Sequence, residues 1–346
     1  MIDSARFTAL VDARLSQVIE RERGYYGGLD PLVDDMFAEI ARLVNAGGKR
    51  TRPEFAHLGW VAAGGEPCAQ TAVNIGAAFE LLHVSALVHD DVIDGAESRR
   101  GAPTTHVRVA EQHRHLGWAG EERRIAEGAS VLTGNIAYAV ADAALGEVNS
   151  AARKQWTRVR TEVNIGQYMD LLGSAARVRS PEHVLRVMAM KTAKYTVERP
   201  LRMGAAATGT ADDFLVGSLG LFGELLGIAF QLRDDVLGVF GDPTVTGKPV
   251  GDDLREGKST MLVARAQEWA DAEQRAVLAR IGSPDLSDTD IAALQDVIRQ
   301  TGALDNVESD IVGFRDKALG VLDAQLDDDV RRELELVAEK VTKRVS

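Results

Sequence analysis

Apolar residues recur along this chain at three- and four-residue spacing, and strict alternation is hard to find. Side chains three and four apart share one face of an α-helix, whereas a half-buried strand needs alternation. This regularity confines the chain to helical architectures. Phe79, Leu82, Ala86 and Ile93 share much of one face, and Leu225, Ile228, Leu232 and Val236 share another. Alanine and leucine are abundant and aromatic residues make up only 5%, which favours helix over sheet. Pro31, Pro53, Pro67, Pro103, Pro181, Pro243, Pro249 and Pro284 fall where helices should start or stop. Pro200 falls inside a helical stretch and predicts a kink or break there. There is no Ser/Pro/Gly-rich linker, no low-complexity tract and no short-period repeat. The expectation is one all-α domain over residues 1–346.

With 45% apolar residues the chain can bury a sizeable interior. Its 52 acidic residues exceed 40 lysines and arginines, giving a net charge of −12, which argues against nucleic acid as a bulk partner. Cys68 is the single cysteine, so no internal disulfide can form and a reducing cytoplasm is the expected location. Met1-Ile2-Asp3-Ser4 lacks the basic and apolar regions of a signal peptide. No uninterrupted apolar run approaches the ~18 residues of a spanning helix, so stable membrane insertion is not expected.

Two apolar stretches each run into aspartates. Phe79 to Val88 leads into His89-Asp-Asp-Val-Ile-Asp94, and on a helix Asp90 and Asp94 stack one turn apart with Asp91 close by. A stretch from about Phe214 leads into Gln231-Leu-Arg-Asp-Asp235. Asp242 lies further on, past Gly241 and before Pro243, which make continuation of the helix doubtful. A triplet of acids is by default a solvated helix end. These continue apolar helices, and carboxylates so spaced suit Mg²⁺, which prefers a few carboxylates plus water and phosphate oxygens. Cations are present for such a phosphate: Gly47-Gly-Lys-Arg-Thr-Arg-Pro53, Arg99 and Arg100, Lys191, and Lys248 and Lys258 in glycine-rich segments.

Taken in order, these segments resemble the trans-isoprenyl diphosphate synthases. The resemblance runs from about Gly47 to Thr260 and rests on Gly47–Pro53, Leu81–Asp94, Arg99-Arg-Gly101, Gly166-Gln-Tyr-Met-Asp170, Lys191-Thr192, Gln231–Asp235 and Gly247–Lys258. It implies an all-α isoprenoid synthase bundle around a central apolar cavity. It implies that Asp90, Asp91, Asp94, Asp234 and Asp235 bind Mg²⁺, three ions with substrate present. It gives Arg99, Lys191, Gln231, Lys248 and Lys258 to the allylic diphosphate. Lys49, Arg52, His83 and Arg100 go to isopentenyl diphosphate, and Thr192 to the developing positive charge. A homodimer is the family expectation. Two positions depart from the pattern: Gly238 stands where the second motif often has aspartate, with Asp253 expected to help through water, and Asn135 stands where many relatives carry aspartate.

The implied chemistry is ionisation of the allylic diphosphate, attack by the isopentenyl double bond, and loss of a proton to the departed diphosphate, in an apolar pocket that excludes water. A class I terpene cyclase would lack the second diphosphate site suggested by Gly47–Pro53 and Arg100. A metal phosphohydrolase reading of His89-Asp90 needs distant histidine ligands; His57 and His83 exist, but nothing else in the hydrolase pattern appears. A non-catalytic partner subunit usually loses aspartates of the first motif, and all are present. Ser85 and Ala86, one turn before Asp90, are small, so a product tunnel should reach Leu82 or neighbours such as Tyr138 and Ala139. The expected product is geranylgeranyl diphosphate.

Overall fold

Helix starts are written into the sequence as caps. Asp30 accepts a hydrogen bond from Leu32 N at 2.8 Å, with Pro31 in the first turn. Asp212 accepts from Leu215 N at 2.7 Å. Ser180 precedes Pro181 in the same manner. Each supplies an acceptor to an amide that the helix itself leaves unpaired. The result, in a computed structural model describing residues 3–176, 180–242, 250–322 and 326–343, is almost entirely helical.

The chain gathers into two compact units, Met1–Arg153 with Met203–Thr210, and Lys154–Arg202 with Ala211–Ser346. In the first, α1 (Ser4–Tyr26), α2 (Pro31–Asn45), α3 (Thr51–Ala62), α5 (Thr105–Leu116) and α6 (Glu122–Leu145) all pack on α4 (Gln70–Asp94). That helix is apolar nearly all round and buried accordingly, with Ile75, Phe79, Leu81 and Leu82 at the centre. Phe7 and Phe55 join them, each contributing about 2–3 kcal/mol by burial. Gly76 lets α1 and α3 approach: a Cβ there would lie 3.0 Å from Val11 and 3.2 Å from Pro53. Ile93, assigned by spacing to the buried face of Phe79, is 40% exposed, because the last turn of α4 emerges from the core.

Between α4 and α5 lies a two-residue hairpin. β1 (Ser98–Arg99) pairs antiparallel with β2 (Ala102–Pro103). Arg100 (φ 53°) and Gly101 (φ 75°) form its turn, the positive φ pair that matches strand twist.

In the second unit the axis is α10 (Asp213–Phe240). Around it lie α8 (Pro181–Met188), the stretch Ala189–Glu198, and the C-terminal helices α11 (Asp252–Glu256), α12 (Met261–Trp269), α15 (Ala303–Gly320) and α16 (Asp328–Thr342), while α13 (Ala272–Leu278) and α14 (Asp288–Gln300) pack on α12. Val184, Ile228, Leu232, Val239, Leu262, Leu294 and Ile311 share its core. Helix α10 stops at Phe240 and Gly241 is extended, so Asp242 is not on the helix, as Gly241 and Pro243 suggested.

The helix does not break at Pro200. Ala189–Glu198 is π-helical and Arg199–Ala207 (α9) resumes α geometry. The register change precedes the residue that has no N–H to donate.

By length and composition α4 and α10 would suffice to cross a membrane, which differs from the reading by uninterrupted runs. Single acids, Glu80 and Glu224, account for the difference. In their most apolar windows 72% and 50% of residues are buried inside the protein, as core helices are.

Candidate functional site

The first acidic cluster occupies the last turns of α4. Asp91 is buried at 2% exposure, while Asp94 is exposed. The hairpin returns Arg99 onto them. Its guanidinium donates to Asp91 Oδ1 at 2.7 Å and lies 3.5 Å from Asp90 Oδ2. Burial pushes the Asp91 carboxyl above its ordinary value, against the pull of Arg99. Arg100, one residue on, instead donates to the Gly47 carbonyl and lies against Gly48.

Arg50, Arg52, Arg99 and Arg100 all lie near enough for their charges to act on His83. Burial first, then Arg52, Arg100, Arg99 and Arg50, hold the imidazole well below its ordinary pKa, so it is neutral. Neighbouring basic residues here have different duties. Arg50, left-handed at the start of α3, bonds Glu80 at 2.7 Å, Asp12 at 2.9 Å and the Val44 carbonyl at 2.9 Å. It ties α1, α2 and α4 together. Arg52 lies within the first turn of α3, and Lys49 precedes that helix in the glycine loop.

His89 faces α6: Nε2 lies 3.1 Å from the Val131 carbonyl, and its ring fills the place of a Gly134 side chain. His57 stacks on Phe7 at 3.9 Å. Both rings are thus engaged in packing between helices. Asn135 is exposed on α6.

In the second unit the π-helical stretch presents Lys191 and Thr192. Lys191 Nζ donates to Asp170 Oδ2 at 2.7 Å, on α7 (Ser150–Ala175). Thr192 Oγ1 donates to Gln231 Oε1 at 2.6 Å, and Gln231 Nε2 donates to Asp235 Oδ1 at 2.8 Å. One amide thus links the threonine to the second acidic motif. Asp235 is 5% exposed, and among the described residues its Oδ2 has no hydrogen-bond partner. Burial, then the nearby Asp253 carboxylate, push its pKa up to about 8. Arg233, adjacent to the aspartates, turns away to Glu308 and the Thr342 carbonyl.

Gly238 has a steric reason. The Asp253 carboxylate lies where a side chain at 238 would project, its Cγ 2.5 Å from an added Cβ. Lys258 Nζ bonds Asp253 at 3.2 Å and Glu256 at 2.7 Å. Burial opposes its charge, but Asp253 and Glu256 outweigh burial and keep it above the usual lysine range. Asp170, quoted in a motif, received no role from sequence; its position 21 residues before Lys191 gives no hint of their contact. Lys248 lies outside the described residues.

Among the described residues, no group of three or more His, Cys, Asp or Glu side chains is drawn together enough to hold a metal ion alone. The donor set nevertheless fits Mg²⁺. It is all carboxylate oxygen, and Asp235 offers a buried oxygen lacking a partner. This ion characteristically completes its shell with water and phosphate.

Residues 34–299 match the polyprenyl synthetase family model. The chain belongs to that family. Membership makes it a trans-prenyltransferase. It is 32% identical to a geranylfarnesyl diphosphate synthase of Aeropyrum pernix over 90% of this chain and 95% of that one. Against a nonaprenyl diphosphate synthase of Mycobacterium tuberculosis it is 30% identical over 80% of this chain and 77% of the other. Among solved structures, geranylgeranyl pyrophosphate synthase from Corynebacterium glutamicum, complexed with isoprenyl diphosphate and magnesium, superposes with a TM-score of 0.93. The identity is 36%, covering 99% of this chain and all of that one. The relatives of this polyprenyl synthetase thus span several product lengths.

Proposed function

We propose that this polyprenyl synthetase condenses isopentenyl diphosphate with an allylic diphosphate (dimethylallyl, geranyl or farnesyl), releasing diphosphate, and that geranylgeranyl diphosphate is its main product. The observation that carries the reading is that the chain holds two cationic sets: in one unit His83 within the field of four arginines, and in the other Lys191 and Lys258, each bonded to a carboxylate. A cyclase handling one diphosphate has no use for two cationic sets. A synthase needs both: Lys49, Arg52, His83 and Arg100 for isopentenyl diphosphate, and Arg99, Lys191, Gln231, Lys248 and Lys258 for the allylic partner.

Bound Mg²⁺, three ions on this reading, would neutralise the leaving diphosphate; Asp90, Asp91, Asp94, Asp234 and Asp235 would hold it. Lys191 and Lys258 add charge to the leaving group, each already oriented by a carboxylate. With its hydroxyl hydrogen donated to Gln231, Thr192 Oγ1 keeps its lone pairs for positive charge. No side chain need act as base, since the departing diphosphate can accept the final proton.

The small residues Ser85, buried, and Ala86, half-buried, support a tunnel reaching past them toward Leu82, hence a product longer than fifteen carbons. A homodimer is supported by the apolar exposure on α6, where Leu132 is 62% and Val131 40% exposed beside Asn135 and Ala139. We place the enzyme in the cytoplasm, in keeping with its single cysteine.

The test is incubation with labelled isopentenyl diphosphate and each starter, with products resolved by mass spectrometry. Diphosphate release only with both substrates supports the synthase. Release from the allylic substrate alone, with a cyclic product, refutes it.

A further inference from the structure

A π-helical run as long as Ala189–Glu198 is unusual, since such geometry is mostly confined to single turns and concentrates at functional sites. Something outside the helix must hold it. The two neighbouring helices supply the same device. On α7, Gly166 and Asp170 are four residues apart and share a face; on α10, Gly227 and Gln231 do likewise.

In each pair the glycine admits the backbone of the π-helical stretch and the polar residue grips a side chain from it. A Cβ on Gly166 would lie 2.6 Å from Lys191 Cα and 2.8 Å from the Met190 carbonyl carbon. Asp170 then holds Lys191 Nζ at 2.7 Å. A Cβ on Gly227 would lie 2.5 Å from Ala193 Cα and 2.7 Å from Ala193 Cβ. Gln231 then holds Thr192 Oγ1 at 2.6 Å. Consecutive residues are therefore seized from two different helices, each at a point where that helix has no side chain. A third glycine, Gly223, admits Glu198, whose Cα would be 2.6 Å from an added Cβ. Four residues beyond it comes Gly227, so this contact packs the backbone without gripping a side chain.

We propose that the pairs Gly166/Asp170 and Gly227/Gln231 form a two-sided clamp that sets the depth and direction of Lys191 and Thr192. Gly166, Asp170 and Gly227 are positioning residues for the allylic diphosphate and the cation formed from it. This rests on the synthase reading given above for Lys191 and Thr192. A side chain at either glycine forces the backbone outward and carries both groups with it.

The experiment compares Gly166→Ala, Gly227→Ala, Gly223→Ala and Asp170→Leu, with both Michaelis constants, kcat and thermal midpoint measured well below the lowest midpoint. All three alanine variants should lose thermal stability. Gly166→Ala, Gly227→Ala and Asp170→Leu should raise the allylic Michaelis constant or lower kcat by about tenfold or more, as a displacement of about 1 Å can. The isopentenyl constant should stay within about twofold in the same variants, since the groups read as binding that substrate belong to the other unit. Gly223→Ala should lose stability with little kinetic change. Equal kinetic damage in Gly223→Ala overturns the clamp, as does unchanged allylic kinetics in Gly166→Ala and Gly227→Ala. If neither glycine variant folds, Asp170→Leu decides, and an unchanged allylic constant there overturns the proposal. Wild-type protein that forms no prenyl diphosphate would instead remove the synthase reading itself.

Discussion

The carboxylate of Asp253 fills the space into which a side chain at position 238 would project. The two positions therefore compete for one volume. Gly238→Ala should displace Asp253 from Lys258 and cost about 1–3 kcal/mol, the usual range for overpacking. Turnover should fall alongside. Asp253→Ala in the same chain makes room, so the double variant should be more stable than the sum of the single losses predicts. Denaturant melts of the four proteins check this, and strict additivity would refute the shared volume.

Arg50 and Arg52 are two residues apart with opposite expected phenotypes. The side chains of Arg50 and Glu80 are 10% and 6% exposed, so Arg50→Ala strands a buried carboxylate. A stability loss of about 3–5 kcal/mol is expected. Arg52→Ala should mainly raise the isopentenyl Michaelis constant at a nearly unchanged melting temperature. Thermal melts beside separate substrate titrations distinguish them.

Asp91→Asn should remove most turnover with little change in stability when Mg²⁺ is absent. Burial already makes the Asp91 charge costly, and an amide oxygen can still accept from Arg99. Activity near wild type would sink the metal assignment.

His57 gives the fold an acid-sensitive element. It is buried, stacks on Phe7 and accepts from Cys68 N at 3.3 Å. Burial lowers its pKa from 6.5 to about 4. The folded form is the neutral one, so the unfolded chain binds the extra proton between those values. Stability from this group is complete above about pH 6.5 and falls as pH drops toward 4, by at most about 3 kcal/mol. His57→Phe should flatten that part of the stability curve.

Ser85→Phe or Ala86→Phe should shorten the product by one or two five-carbon units at similar initial rates. Chromatography of labelled products checks it. A double variant with an unmoved distribution places the tunnel floor elsewhere.

The helical class was legible because period and composition agree along the chain, and Pro31 and Pro181 stand in the first turns of helices, as their positions suggested. The aspartates stand out in the sequence because each set ends an apolar run, and Lys49 to Arg52 because the charges are closely spaced after a glycine pair. What stayed hidden depends on long separations in the chain. Asp170 meets Lys191, Asp253 meets Gly238, and Arg50 meets Glu80 through packing alone. Position also hid which neighbour does what, since Arg50 and Arg52, or Arg99 and Arg100, are the same residue type. The π-helical stretch left only the trace of Pro200, because its cause lies in glycines on other helices.

The short ribbon after α4 has an evolutionary consequence. Arg99 belongs to a strand and Arg100 to the turn, and this alone sends one guanidinium to the aspartates and the other to Gly47. Successive ribbon residues face opposite ways, so one inserted or deleted residue between Gly95 and Arg99 would exchange their directions. Surface loops usually drift in length among relatives without harm. This one should not: substitutions at Ala96, Glu97 and Ser98 should be tolerated where a change of length is not.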